Sequence, residues 1–367
     1  TITKKTKTLK VHRGVVYNMP AFEVKLARQN VYFFNDEAIS APNLSSPVEG
    51  TENFTSLTIK PNEVIGKITL AETDLVAISD YIERYGSEAG VKLDLSKAYY
   101  TSNIWPNSFR NNTKLQSISL PLNITKGSAE GSGDGAAPFK GCTKLSEIIL
   151  DEAMVKLPDM FLNGVPSIKT INLTRNVSDI IWLQNDSDAN SNLENITVVK
   201  DNPQLYADKG VLYRIVSGVK ELEYVPVANT EALTKEGEDY VYTLPSDVNN
   251  IRQAAFFCNK NITKIVVTNS FEAIVGGYVF GAKNLKVIDF SALDHVPSVH
   301  VDAGKLATKG VTIWCASEMK SNFENNETWA KVAKEAGWTF EVKPVISESQ
   351  AASISNLNSS NPVFSWK

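Results

Sequence analysis

The chain has 367 residues, 37 of them basic and 41 acidic, for a formal net charge of -4. This length holds either several globular domains or one elongated array, and the near-balanced charge excludes the broad basic face that nucleic acid would need as a partner. No apolar run approaches the roughly 20 residues of a membrane span, and three cysteines, Cys142, Cys258 and Cys315, are too few and too scattered for a disulfide framework or a closed zinc site.

Residues 1–60 predict a small β element with strands at Leu9–Val11, Val15–Tyr17, Phe22–Leu26 and Val31–Phe34. The turn-rich stretch Ala41–Gly50 reads as a loop or linker. The period then changes. Thr69 and Glu72 have capping-box spacing, Leu75, Ile78, Ile82 and Tyr85 share one helical face, and Gly86 is placed for a left-handed stop. A stack of repeats needs a lid with a polar outer face, so residues 61–90 are expected to form a helical N-terminal cap.

Residues 91–316 repeat. An apolar-x-x-apolar-x-apolar signature occurs at Leu115, Ile118 and Leu120, and returns from Leu145, Ile168, Leu193, Ile262 and Leu285, with steps of 30, 23, 25, 69 and 23. The step of 69 leaves room for two degraded units, with strands expected at Leu222–Tyr224 and Tyr242–Leu244. Leu93–Leu95 and Val311–Ile313 bracket the series, for about ten coils. No unit of this size buries its own apolar face, so the units must stack into a mainly β solenoid with short helical caps and one parallel sheet. Phe109, Phe139, Phe161, Phe256 and Phe280 recur five to seven residues before the signature and are expected as buried anchors. Cys142 and Cys258 follow two of them and read as small packed corner residues.

The step of 30 comes from a glycine-rich insert between Asn123 and Ala137. It lacks the strand-loop-helix context and the Lys-Ser/Thr pair of a phosphate cradle, and its single Gly131-Ser-Gly-Asp134 run supplies too few oxygens for calcium. Beyond the last strand, Met319, Phe323, Trp329, Val332, Ala333 and Ala336 predict helical turns ending at Gly337, then a strand at Trp338–Val342, together a C-terminal cap over 317–343. The tail, 344–367, has linker composition but ends Pro362-Val-Phe-Ser-Trp366, and pairing with the N-terminal β element is expected.

The units Ala255–Val267 and Pro138–Leu150 resemble the BspA-like leucine-rich repeats of bacterial surface proteins. Val91–Ser96 resembles a first strand of such a series, and Asp201–Tyr213 resembles a link between blocks of repeats. The resemblance spans residues 91–316. It implies a curved leucine-rich-repeat solenoid, a secreted or surface-attached protein of a host-associated bacterium, and adhesion to host proteins or other cells. A lipid anchor on a residue upstream of this chain would leave no trace in it. The family has no shared active site to carry over.

The residues themselves point the same way. His295 and His300 are five apart, not at the helical spacing of a zinc pair, and no Gly-x-Ser-x-Gly elbow occurs. Asp179, Asp186 and Asp188 fall in one inter-strand loop and read as solvated. No catalytic residue, metal or cofactor is expected. The strand positions between the inward ones form the expected contact face, with Glu147, Asn172, Asn195, Thr197, Glu223, Lys264 and Asp289 as its binding residues. None of the outward positions in these runs is aromatic, which favours a protein ligand met by a monomer; a glycan held on loop aromatics near Trp182, or a spacer role without a ligand, are the alternatives.

Overall fold

A computed structural model describes residues 30–33, 53–59, 68–127, 137–157, 160–180, 183 and 192–344. The strands expected before residue 30, most of the glycine-rich insert, Trp182, Asp186, Asp188 and the tail beyond 344 lie outside the described residues.

The N-terminal block runs β1 (Asn30–Phe33), β2 (Ser56–Ile59), β3 (Thr69–Leu70), α1 (Glu72–Tyr85), β4 (Val91–Asp94), β5 (Tyr99–Tyr100), β6 (Leu115–Ser119), β7 (Glu147–Ile149), β8 (Lys156–Leu157), β9 (Thr170–Leu173), β10 (Asp179–Ile180) and β11 (Asn195–Val198). One strand per coil enters a main ladder: β1, β2, β4, β6 and β7 pair side by side, all parallel, and β9 pairs in parallel with β11. Alternate residues turn inward, so Leu57, Leu93, Ile118 and Ile148 stack in register and are buried. A second ladder of two-residue strands joins β3 to β5 and β8 to β10.

The solenoid therefore reaches past the expected first strand, because β2 pairs with β4 and β1 with β2. Helix α1 lies within the coil between β2 and β4 instead of across the end of the stack. Its expected apolar face holds, with Leu75, Ile78 and Ile82 fully buried. The cap is different: Asp74, not Glu72, receives a backbone N–H, that of Ala71 at 2.8 Å. Gly86 has φ -69 and is not left-handed; what excludes a side chain there is space, since a Cβ would stand 2.5 Å from the Ile82 carbonyl oxygen.

The anchors behave as the spacing predicts. Phe109, Phe139, Phe161, Phe256 and Phe280 are all fully buried. Their rings touch from coil to coil, Phe139 to Phe161 at 5.7 Å between centroids and Phe256 to Phe280 at 6.2 Å. A corner clasp follows three of the anchors, Phe109, Phe139 and Phe256. Asn112 and Asn259 each stand three residues before the first apolar position, accept its N–H at 2.9 Å, and donate to a carbonyl 33 residues back, that of Ser79 or Pro226. Cys142 fills the same slot and donates its thiol to the Phe109 carbonyl, also 33 residues back, at 2.9 Å. Burial pushes that thiol's pKa up to about 12. Cys258 stands one residue earlier in its unit, at φ 60, where Asn111 and Gly141 are also left-handed.

Between the blocks the chain leaves the repeat. Strands β12 (Leu205–Asp208), β13 (Val211–Val216) and β14 (Val219–Tyr224) form an antiparallel meander with tight turns at Lys209-Gly210 and Ser217-Gly218, all four residues at positive φ. The meander is buried on both faces at its inner end, Val211–Tyr213 and Leu222–Tyr224. Leu212 and Tyr224 join the N-terminal core, while Val211, Tyr213 and Leu222 join the C-terminal one. The expected link at Asp201–Tyr213 is thus a shared wall between two cores.

The C-terminal block runs β15 (Leu233–Glu236), β16 (Asp239–Thr243), β17 (Val248–Ile251), β18 (Lys264–Val266), β19 (Ala273–Ile274), β20 (Val287–Asp289), β21 (Ser298–Val299), β22 (Thr312–Cys315), α2 (Lys320–Asn325), α3 (Glu327–Ala336) and β23 (Thr339–Val342). After the antiparallel β15–β16 hairpin the main ladder resumes, β16, β18, β20, β22 and β23 in parallel. The second ladder is β14, β17, β19 and β21. Two expectations need correcting. The main ladder is parallel throughout, but its hydrogen bonding falls into three pieces, with breaks between β7 and β9 and between β11 and β16. Leu222–Tyr224 is a strand, yet of the second ladder. Tyr242 takes the expected main-ladder place, in register with Ile265. Helix α3 starts where Asn326 accepts the Trp329 N–H and ends at left-handed Gly337, and Phe323 and Trp329 pack on Phe290 at 5.7 and 5.4 Å.

Candidate binding face

The outward residues of the main ladder form two columns above the buried ones. Lys92, Ser117 and Glu147 continue one column in the N-terminal block, with Thr170 beside Asn195 in the next piece and Lys264, Val287, Thr312 and Thr339 in the last. The other column runs Asp94, Ser119 and Ile149, then Asn172 and Thr197, then Thr243, Val266, Asp289, Trp314 and Glu341. Such a face is rigid because each strand is held by its neighbours and by the core beneath it.

Of the seven residues expected to bind, four stand plainly in these columns with open or half-open side chains. Glu147, Asn172 and Thr197 are exposed, and Asn195 is half-buried. Thr197 donates its hydroxyl to the Asn172 side chain, across paired strands. Lys264 is on the face but only 17% exposed as a side chain. Asp289 is on the face yet 1% exposed; its carboxylate accepts Ser291 N–H at 3.1 Å and hydroxyl at 2.6 Å and lies 2.9 Å from Lys343 Nζ. One oxygen is thus held by Ser291 and the other faces the Lys343 ammonium.

Glu223 is not on the face at all. Its strand belongs to the second ladder, and the residue is 6% exposed, with Arg214 Nε donating to it at 2.6 Å and Arg252 Nε 2.9 Å away. Glu221 holds the other side of Arg252 at 2.6 Å. A cleft of about 280 Å³ opens between this cluster and Asp179, which pairs with Lys156 at 3.2 Å. Every charge there has a partner, and the Arg252 bonds tie the meander to the C-terminal block. At the histidines, His295 Nδ1 lies 3.0 Å from Asp294 and His300 Nδ1 accepts the Asp302 N–H at 3.1 Å. Among the described residues no three His, Cys, Asp or Glu side chains converge as a metal site.

Trp314 is the face residue that sequence reasoning missed. The expected strand at Val311–Ile313 runs on to Cys315, which is buried, so alternation turns Trp314 outward, half-buried. The face does carry an aromatic. The Lys264 ammonium lies 5.3 Å from its ring centre, and Lys343 reaches across β22 to Asp289 beside it.

This geometry agrees with a sequence-family match. The family model for the BspA type leucine rich repeat region matches in six copies, over residues 92–207 and 240–299. The chain carries BspA-type leucine-rich repeats. The two matched stretches of this repeat protein part where β13, β14 and β15 depart from the parallel ladder. Among solved structures the repeat chain is similar to a leucine rich cell surface protein of Faecalibacterium prausnitzii, at 15% identity over 92% of this chain and 97% of that one, with a TM-score of 0.41. It is similar to the pneumococcal vaccine antigen PcpA at 11% identity, covering 88% and 96%, with a TM-score of 0.37. It is also similar to a leucine-rich repeat protein of Eubacterium ventriosum at 16% identity, covering 79% and 68%, with a TM-score of 0.38. No curated protein matches the sequence.

Proposed function

We propose that this BspA-type repeat protein is a non-enzymatic binding or adhesion protein of the cell surface or extracellular space, acting as a monomer through the outward face of its main ladder. The observation that carries the reading is the contrast between columns. Leu93, Ile118 and Ile148 are buried in register, as are Ile171 and Ile196 in the next piece, while the columns on either side of them keep polar side chains such as Lys92, Glu147, Asn172 and Thr197 in solvent. A broad, mostly polar surface on rigid strands suits contact with a macromolecule. Its family is one of bacterial surface repeat proteins, which favours the same compartment. No helix of the described residues is long and apolar enough to cross a membrane.

The test is capture. The purified chain, immobilised, is offered a panel of host matrix proteins and glycans, beside Glu147→Lys with Asn172→Ala on the face and Glu152→Lys on an exposed turn outside the ladder. Binding that the face variant weakens and the turn variant leaves alone supports the reading. Binding that neither changes moves the contact surface off the sheet.

A further inference from the structure

The two lysines beside Trp314 are unequally satisfied. Lys343 Nζ has a buried carboxylate, Asp289, at 2.9 Å. Lys264 has less: its ammonium meets no hydrogen-bond acceptor among the described residues, Glu236 stands 3.6 Å away and is itself 57% exposed, and the other neighbour is the Trp314 ring. An ammonium carries three donors, and drawing it out of water without acceptors is costly. The side chain nevertheless lies down on the sheet, 17% exposed. The ammonium stands over the Trp314 ring, 5.3 Å from its centre, a cation–π contact in place of hydrogen bonds. The indole ring and unfilled donors thus share one spot on the face.

The surroundings decide between kinds of ligand. A protein hot spot sets its aromatic in a dry, apolar pocket. Trp314 instead has Asp289 and Glu341 as its register neighbours, Thr312 two residues before it, the Lys264 ammonium over its ring and the Lys343 ammonium at the neighbouring Asp289 carboxylate. A flat apolar ring face edged by donors and acceptors matches a sugar, whose C–H face stacks on an aromatic while its hydroxyls take the polar rim. The ammonium groups add a demand for negative charge. We infer that Trp314, Lys264 and Lys343 form a subsite for an acidic sugar, a uronate or sialate residue of a glycan, whose ring stacks on the indole and whose carboxylate meets the Lys264 ammonium. This rests on the main-ladder face being the contact surface and names the ligand class for its C-terminal end.

Calorimetric titration of the whole chain tests it with four probes: a hyaluronan octasaccharide, 3′-sialyllactose, cellohexaose as the neutral sugar and hexaglutamate as the acidic peptide. At least one acidic saccharide binds, with cellohexaose and hexaglutamate at least tenfold weaker. Trp314→Ala and Lys264→Met each weaken that binding at least tenfold, and Trp314→Phe retains part of it; Trp314→Leu, which keeps bulk without an aromatic face, replaces Trp314→Ala if the alanine variant does not melt as the parent does. Binding of neither acidic saccharide, equal binding of cellohexaose or of hexaglutamate, or full binding by a folded Trp314 variant overturns the subsite. Capture of a matrix protein that Glu147→Lys weakens and Trp314→Ala spares removes the subsite and leaves the wider reading of the face. Capture of nothing on the panel removes that reading.

Discussion

Arg214 and Glu223 are joined by two hydrogen bonds, Nε to Oε2 at 2.6 Å and Nη2 to Oε1 at 3.1 Å, and both side chains are nearly withdrawn from solvent, at 11% and 6% exposed. Arg214 is on β13 and Glu223 on β14, and Arg252, just past β17, closes the set at 2.9 Å. Removing one member strands the other charge, which for a buried pair costs about 3–5 kcal/mol. Glu223→Ala is therefore expected to lower the unfolding free energy in urea by that amount, with a lower midpoint, and adding Arg214→Met to Glu223→Leu recovers part of it. A Glu223→Ala midpoint equal to the parent's means the pair stays solvated in solution.

The stacked anchors invite a second expectation. Phe139 touches Trp105 and Phe161, and Phe256 touches Tyr242 and Phe280, with all six rings fully or nearly fully buried. Truncating such a ring leaves a cavity that rigid coils on either side do not collapse to fill, so Phe139→Ala and Phe256→Ala each cost about 3–5 kcal/mol in thermal or chemical unfolding. Unchanged melting in both would place the rings in solvent.

The anchors were legible because their spacing and their chemistry agree: an aromatic at near-constant distance from an apolar signature has one sensible place, inside a stacked coil. Glu223 was not. Leu222-Glu-Tyr224 alternates as a strand whichever ladder it joins, and only the two hairpin turns at Lys209-Gly210 and Ser217-Gly218 carry it off the main face. Those pairs were visible in the sequence as turn formers, but a period of about 23 residues suggested two ordinary coils across that gap. Asp289 shows a different failure. Its column is right, and its burial depends on Lys343, which folds back from the end of the next-but-one strand. Trp314 was within reach, since Ile313-Trp-Cys315 continues the alternation; stopping the strand two residues early hid the aromatic that changes the character of the face.

Cys142 makes a pH-dependent prediction. Burial holds its thiol protonated in the fold, at a pKa of about 12 against an ordinary value of 9.0, so the unfolded chain releases this proton first. The stability it contributes is complete below pH 9 and declines as pH rises from 9 toward 12. Tyr100, pushed up to about 12 chiefly by burial, acts in the same direction from pH 10. Asparagine occupies the equivalent corner at Asn112 and Asn259, so Cys142→Asn is expected to keep the clasp to the Phe109 carbonyl and to flatten part of the alkaline decline in the urea midpoint. An unaltered alkaline slope in a stable Cys142→Asn variant assigns the decline to the other groups that burial raises, Tyr100 and the Cys315 thiol among them. The parent thiol should also resist a thiol reagent at pH 8 until urea unfolds the chain.

A close approach of backbone to backbone between coils gives the last prediction. A Cβ on Gly276 would stand 2.5 Å from both the Cα and the N of Gln253, the residue 23 positions earlier, so backbone lies on backbone at this corner. Backbone cannot swing aside as the end of a long side chain can, and the second ladder fixes the spacing from both directions, β17 to β19 and β19 to β21. Gly276→Ala must push two coils apart or bend one of them, with an overpacking cost of about 1–3 kcal/mol or more. Gly237 offers the control. It turns the β15–β16 hairpin at φ 64 with nothing within 4 Å of a built Cβ, so Gly237→Ala meets only the left-handed backbone penalty of about 1–2 kcal/mol. Because the clash adds loss of ladder hydrogen bonds to its steric cost, Gly276→Ala should also speed amide exchange at Val275, whose N–H donates to the Ile251 carbonyl at 2.9 Å, while Gly237→Ala leaves that amide protected. Equal unfolding midpoints for the two variants, with Val275 still protected, would mean the coils at this corner sit farther apart in solution.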